Sequence, residues 1–323
     1  MMTKETLRIV YFGTPEFAVE SLKRLVDGGY NIVGVVTMPD KPIGRHQSIL
    51  SKSAVKIFAE AHGLPLLQPA SLKDPEFLAQ LKAWQADVQV VVAFRMLPEV
   101  VWAMPRFGTF NLHAALLPQY RGAAPINWAI INGERETGIT TFFLQHEIDT
   151  GNVIQQVRVP ISDTDTAGDI HDRLMLLGGD LVIETINKLI EGDIKAIPQA
   201  EMQADEPLKP APKLFKDNCK IDWSAGVKRC YDHIRGLSPY PAAWTTFVSG
   251  EKQQALKIIS SEKEFCTPAA PVGTIIIADK ADLKVALSDG YLHLKEIQPA
   301  GKKRMPVADF LRGFRPFGNE RVE

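Results

Sequence analysis

An α/β fold is predicted, a doubly wound, Rossmann-like parallel sheet followed by a smaller OB-like antiparallel β-barrel. Three observations predict it. Apolar strand-like runs alternate with helix-like runs through residues 1–194. A proline-rich polar stretch, "IPQAEMQADEPLKPAPKLF", reads as a linker at 195–213. Residues 214–323 then carry short strand-like runs separated by turns, with no helix long enough for a crossover.

The elements follow in order. "LRIVYFG" is a short apolar strand closed by Gly13; a helix follows, with Pro15 near its first turn and Asp27-Gly28-Gly29 at its end. "NIVGVVT" is a strand, "SAVKIFAEAHG" a helix with a glycine stop, and "LPLLQP" a short strand. "DPEFLAQLKAW" opens with Asp74 as N-cap and Pro75 at the first helical position. "DVQVVVAF" is almost wholly apolar, as a strand covered on both faces must be. "TFNLH", the helix "APINWAIING", the strands "GITTFFLQ" and "NVIQQVRVPI", and a helix over 167–191 complete the first domain. Past the linker come a helix near 224–235 and the strands "AAWTTFVS", "ALKIIS", "GTIIIAD", "LKVALSD" and "YLHLKEIQ". Turns at Ser249-Gly250 and Asp289-Gly290 separate them.

Composition excludes several classes. The longest apolar runs, "VQVVVAF" and "TIIIA", fall far short of the ~20 residues that span a bilayer. "MMTKETLRIVYFG" runs directly into a strand with no signal-peptide architecture. Cys219, Cys230 and Cys266 form no CxxC and read as reduced thiols, so neither a disulfide framework nor a metal site is expected. The expected setting is cytoplasmic, away from membranes. Net charge is −1, but residues 1–207 carry 18 basic against 25 acidic side chains, and residues 208–323 carry 19 against 13. A balance of −7 followed by +6 points the second part toward a polyanion, though an ordinary solvated surface would look the same.

"FGTFNLHAALLPQYRGAAPIN" places two polar side chains, Asn111 and His113, at the end of an apolar strand. Two residues apart, they share a strand face, and parallel sheets bind ligands beyond their carboxyl ends. An amide beside an imidazole suits a carbonyl that becomes an oxyanion. Asp149, in "HEIDTGNV", can fix the imidazole. There is no GxSxG elbow and no evident Schiff-base lysine, so the substrate must bring its own nucleophile. Taken singly, each feature has a plain structural reading: a satisfied polar cap at 111–113, a turn at 149–151, a solvent-exposed His146.

Together they resemble the formyltransferases that use 10-formyltetrahydrofolate, whose pattern is Asn-x-His, Ser-Leu-Leu-Pro and an Asp-Thr-Gly turn. "RIVYFGTPEFAVESL", "VVTMPDKPIGR", "RGLSPYPAAW" and "QPAGKK" extend the resemblance along essentially the whole chain, toward the branch acting on methionyl-initiator tRNA. The resemblance implies Asn111, His113 and Asp149 as the catalytic set and Ala115, Leu116, Leu117 and Pro118 as the tetrahydrofolate-contacting segment. It implies 10-formyltetrahydrofolate as formyl donor and charged initiator tRNA as acceptor in translation initiation; no metal-ligand cluster is evident in the sequence, and a monomer is expected. Lys41 and Arg45, in the loop "MPDKPIGRHQ", and Lys302 and Lys303 are the expected tRNA contacts. Three departures from the pattern stand out: Ala115 replaces the serine, "AFRMLP" (Phe94 to Pro98) shortens the usual "AYGxILP", and Gly44-Arg45-His46-Gln47 is less basic than usual. Four rival readings are a formyltransferase for a nucleotide-linked amino sugar, a glycinamide ribonucleotide formyltransferase, a silent RNA-binding relative and a dinucleotide-dependent oxidoreductase. The last lacks its phosphate cradle, because "GTPEFA" follows the first strand where GxGxxG would be needed.

Overall fold

Strand β1 (Ile9–Gly13) is buried along its whole length, and the alternation of its side chains explains why helices cover both its faces. The structure is a computed structural model describing residues 2–43, 49–202, 206–279 and 281–323. Val10 and Phe12 point to one face and pack with Phe77, Leu81 and Val101. Tyr11 points to the other, where its hydroxyl donates to the Ala18 carbonyl and meets the Ser21 hydroxyl, each at 2.6 Å.

In chain order the elements after β1 are α1 (Glu16–Asp27), β2 (Ile32–Val36), the hairpin strands β3 (Lys41–Ile43) and β4 (Ile49–Ser51), α2 (Ala54–Ala61), β5 (Leu66–Leu67), α3 (Pro75–Ala83), β6 (Val88–Val92), α4 (Glu99–Trp102), β7 (Thr109–His113), α5 (Pro125–Ile131), β8 (Glu136–Phe143), β9 (Val153–Pro160), α6 (Ala167–Glu191) and α7 (Gln199–Met202). Asp74 caps α3 as expected, accepting from the Glu76 N–H at 3.0 Å. The sheet order is β5-β2-β1-β6-β7-β8-β9. The chain moves outward from β1 through β2 to β5, then resumes on the other side of β1 at β6, which creates a switch point. Pairs β1–β2, β2–β5, β1–β6 and β6–β7 are parallel.

One departure from the expected parallel sheet matters for the site. β8 runs antiparallel to β7, with His113 opposite Thr140 and Phe110 opposite Phe143. The connection after β8 therefore starts near the amino end of β7, where the Leu144 N–H bonds the Thr109 carbonyl at 2.8 Å.

The second sheet is antiparallel. It comprises β10 (Ala243–Ser249), β11 (Lys252–Phe265), β12 (Ile275–Ile277), β13 (Leu283–Leu287), β14 (Gly290–Pro299), β15 (Met305–Pro306) and β16 (Arg321–Val322), with α8 (Val227–Gly236) and α9 (Val307–Gly313). Its order is β12-β13-β14-β11-β10-β16, and β15 pairs with β14. A bridge between Thr274 and Arg321 joins the two ends of this path, so the sheet is nearly closed. Register shifts around Ser260 bend the long β11, as a barrel requires. The interior is a continuous apolar cluster that includes Trp223, Ile234, Phe247, Ile258, Val285 and Leu294.

The chain forms two compact units that interleave in sequence. One holds residues 1–122, 138–159 and 171–210; the other holds 123–137, 160–170 and 211–323. Residues 199–202, inside the stretch whose composition reads as a linker, are helical. Gln199 among them is 3% exposed.

Candidate active site

β7 delivers Asn111 and His113 to one face because they are two residues apart on an extended strand. His113 is 6% exposed, and its Nε2 lies 2.9 Å from the Tyr120 carbonyl oxygen. A carbonyl can only accept, so Nε2 carries the proton and Nδ1 is the nitrogen free to exchange one. Nδ1 lies 3.8 Å from Asp149 Oδ2. The ring also stands edge-on to Phe142, with centroids 6.3 Å apart. The Asn111 amide is half-buried and makes no hydrogen bond among the described residues, which leaves its N–H groups for a ligand.

Asp149 reaches the histidine by a route the sequence did not reveal. Since β8 is antiparallel, the 144–152 connection must fold back along the sheet to arrive at the carboxyl end of β7. Asp149 adopts φ +55°, and its Oδ2 accepts the Gly122 N–H at 2.9 Å. The Thr150 hydroxyl donates to the Glu147 carbonyl at 3.0 Å. Gly151 has no room for a side chain: a Cβ there would stand 1.6 Å from the Phe143 carbonyl oxygen. The expected set of Asn111, His113 and Asp149 thus occupies one locality, supported by Tyr120 and Gly122 from "QYRGAAP". His146 lies outside that arrangement: its side chain is 73% exposed and faces Glu99 at 3.5 Å.

The segment Ala115–Pro118 follows directly. The Thr140 hydroxyl donates to the Ala115 carbonyl at 2.6 Å, and the Leu117 N–H reaches Thr140 Oγ1 at 3.3 Å. Gln156 Nε2 donates to the Leu117 carbonyl at 2.7 Å. Ala115, Leu117 and Pro118 are buried and Leu116 is half-buried. The short "AFRMLP" loop leaves β6 through Ala93 at φ +47°, packs Phe94 edge-on to Phe12 and ties Arg95 to the Pro69 and Ala70 carbonyls.

Among the expected RNA contacts, Lys41 lies in β3 and is exposed, while Arg45 falls outside the described residues. Lys302 and Lys303 are exposed in the turn between β14 and β15 and have no ion pair among the described residues. Arg304 beside them is committed to Glu296. Burial pushes the Cys230 thiol up to about 12 and also raises Cys219, so neither is a thiolate nucleophile. Among the described residues no group of three or more His, Cys, Asp or Glu is arranged to hold a metal ion, and no helix is long and apolar enough to cross a membrane.

Sequence reasoning missed Tyr120, Gly122, Thr140, Gln156 and Gln199. The first two act through backbone atoms, which carry no residue signature, and the other three are common polar residues with no spacing rule.

Residues 7–186 match the family described as formyl transferase, and residues 213–315 match the formyl transferase C-terminal domain. A methionyl-tRNA formyltransferase of Parabacteroides distasonis is 61% identical over 316 residues, 97% of this chain and 98% of the relative. One from Phocaeicola vulgatus is 61% identical over 324 residues, covering both chains completely. In fold, the crystal structure of WlaRD, a sugar 3N-formyl transferase in the presence of dTDP and 5-N-formyl-THF, aligns with a TM-score of 0.64 at 21% identity, over 92% of this chain and 99% of that one. With both family domains present and near-complete identity coverage, the chain belongs to the formyl transferase family, in the branch of the methionyl-tRNA formyltransferases.

Proposed function

We propose that the protein transfers a formyl group from 10-formyltetrahydrofolate to the amino group of methionyl-initiator tRNA, for translation initiation in the cytoplasm. The observation that carries this reading is the convergence of an Asn111 amide unpartnered among the described residues, the exchangeable Nδ1 of His113 and the Asp149 carboxylate at the end of one strand. In the reaction the methionyl nitrogen bonds the formyl carbon, the bond from that carbon to the folate nitrogen breaks, and one proton passes from the amine to the leaving nitrogen. Asn111 donates to the formyl oxygen as negative charge builds there. His113 Nδ1 takes or gives the proton, and the Asp149 carboxylate faces the charge that results. Ala115–Pro118 offers a wall for the folate: Leu116 is its half-buried side chain, and the buried Ala115 and Leu117 are fixed through their backbone groups. Lys41, Arg45, Lys302 and Lys303 contact RNA phosphates.

The test is formyl transfer from 10-formyltetrahydrofolate to Met-tRNA, with free methionine and a nucleotide-linked amino sugar as competing acceptors. Efficient transfer to the tRNA alone is expected. Preference for the amino sugar would overturn the assignment of acceptor.

A further inference from the structure

We propose that Gln199 is a positioning residue for formyl transfer, acting through Asp149; this rests on the catalytic reading of Asp149 given above. Gln199 lies in the stretch whose composition reads as a linker, yet it is 3% exposed. An amide side chain can donate two hydrogen bonds and accept two, and here all four are made. Nε2 donates to the Asp149 and Gly151 carbonyls, each at 2.8 Å. Oε1 accepts from Arg121 Nε at 3.0 Å and Arg121 Nη2 at 2.6 Å.

Each partner supports part of the catalytic set. The two carbonyls bracket the turn that holds Asp149 in a left-handed conformation, which is unfavourable for a residue with a Cβ and must be held in place. Arg121 sits between Tyr120, whose carbonyl fixes the His113 tautomer, and Gly122, whose N–H fixes Asp149 Oδ2. The support of the histidine and the support of the aspartate therefore meet at one buried amide.

The amide is itself anchored. Ile197 and Val153 exchange backbone hydrogen bonds at 2.8 Å, and Met202 packs with Leu117, Phe142 and Val153. Gln119 and Lys209 are joined by a bond from the Lys209 N–H to Gln119 Oε1, and the Tyr120 N–H donates to the Lys209 carbonyl. Residues 197–202 and 206–209 thus brace the catalytic set, and among them the Gln199 side chain bonds the Asp149 turn. Gln199 touches no reacting atom; it donates to the backbone of Asp149 and influences the reaction chiefly by setting the place of that carboxylate.

The experiment is a double-mutant cycle on the full chain, with Gln199→Leu, Gln199→Glu, Asp149→Ala and the combined variants. Turnover and both Michaelis constants are measured with 10-formyltetrahydrofolate and Met-tRNA, and folding is checked by thermal unfolding. Misplacement of a catalytic group by about 1 Å costs on the order of 100-fold, so Gln199→Leu is expected to lower turnover ~30-fold with both Michaelis constants within about twofold. In the Asp149→Ala background the same change should cost less than about threefold, because the group it positions is already gone. Gln199→Glu keeps the acceptor toward Arg121 and loses both donations, so it should fall in the same direction, and it carries the test if the leucine variant does not fold. Unchanged turnover in the folded variants, or losses that multiply with Asp149→Ala as general destabilisation would, overturns the proposal. If Asp149→Ala alone keeps full turnover, the catalytic reading of Asp149 fails first and takes this role with it.

Discussion

Tyr120 offers His113 a carbonyl oxygen, and in the proposed mechanism that choice of atom decides which ring nitrogen works. With Nε2–H committed, only Nδ1 can exchange a proton, and it faces Asp149. Truncating Asn111, His113 or Asp149 to alanine is expected to lower turnover by ~100-fold or more with folding intact, since loss of one oxyanion donor alone typically costs that much. Double and triple variants should lose little more than the worst single one, a pattern read from steady-state kinetics. Wild-type turnover in the His113 variant would remove the mechanism. Ala115 is a milder case. Its carbonyl is already held by Thr140, and its methyl is fully buried. Ala115→Ser should shift turnover by no more than a few-fold, because one neutral hydrogen bond is worth about 1 kcal/mol. A much larger gain in the same assay would show that the alanine impairs the site.

Between residue and molecule, the connection from β8 to β9 matters most, because it must reverse to bring Asp149 to His113. Gly151 makes that reversal possible, and Gly151→Ala would drive a methyl group into the Phe143 carbonyl. The expected cost is ~2 kcal/mol or more of stability, measured by denaturant unfolding, with turnover falling as well. The sequence revealed most elements, because fully apolar runs such as "VQVVV" and capped helices such as the one after Asp74 announce themselves locally, but not the short β3, β4, α4, α7, α9 or β15. It also singled out Asn111, His113 and Asp149, which the structure brings to one locality. It did not reveal the reversal of β8, because periodicity is blind to strand direction, nor β16, because two residues show no period. Gln199 was hidden for a related reason: surrounding proline and acidic residues read as solvent-exposed chain, and only tertiary packing shows that the amide is buried. The barrel strands carry a pH-dependent tie of their own. His293 on β14 bonds Asp282 at 2.8 Å and Glu264 on β11 at 2.7 Å; Lys284 on β13 bonds the same Glu264 oxygen and lies over the Tyr291 ring. Burial opposes the imidazolium, but the two carboxylates outweigh it and raise His293 above its ordinary value. The stabilisation should be fully present below the unfolded value of ~6.5 and disappear as pH rises through the higher folded value. His293→Asn should flatten that part of a stability–pH curve measured by thermal unfolding.

For the whole molecule, charge is divided along the chain, −7 over residues 1–207 and +6 over 208–323. An acidic catalytic part repels a polyanion, so basic groups elsewhere must offset it. Lys302 and Lys303 are exposed and uncommitted to carboxylates among the described residues. Changing both to alanine should raise the tRNA Michaelis constant and flatten the log–log salt dependence by roughly 0.7–0.9 per lost contact. An unchanged slope would remove them from the RNA surface. Arg45→Ala should lower turnover as well as affinity, because a misplaced acceptor amine costs catalysis; a short amine substrate serves as the control. The near-closure of the second sheet also has a consequence for synthesis. Residues 320–322 bond Gly273 and Ile275 on one side, and 321–323 bond Thr246 and its neighbours on the other. While the chain emerges from the ribosome, β10 and β12 therefore keep unpaired edges until those few residues are free. Nascent chains in which only residues 320–323 are still held back would each present two open strand edges, ready to pair with a neighbour on the same messenger.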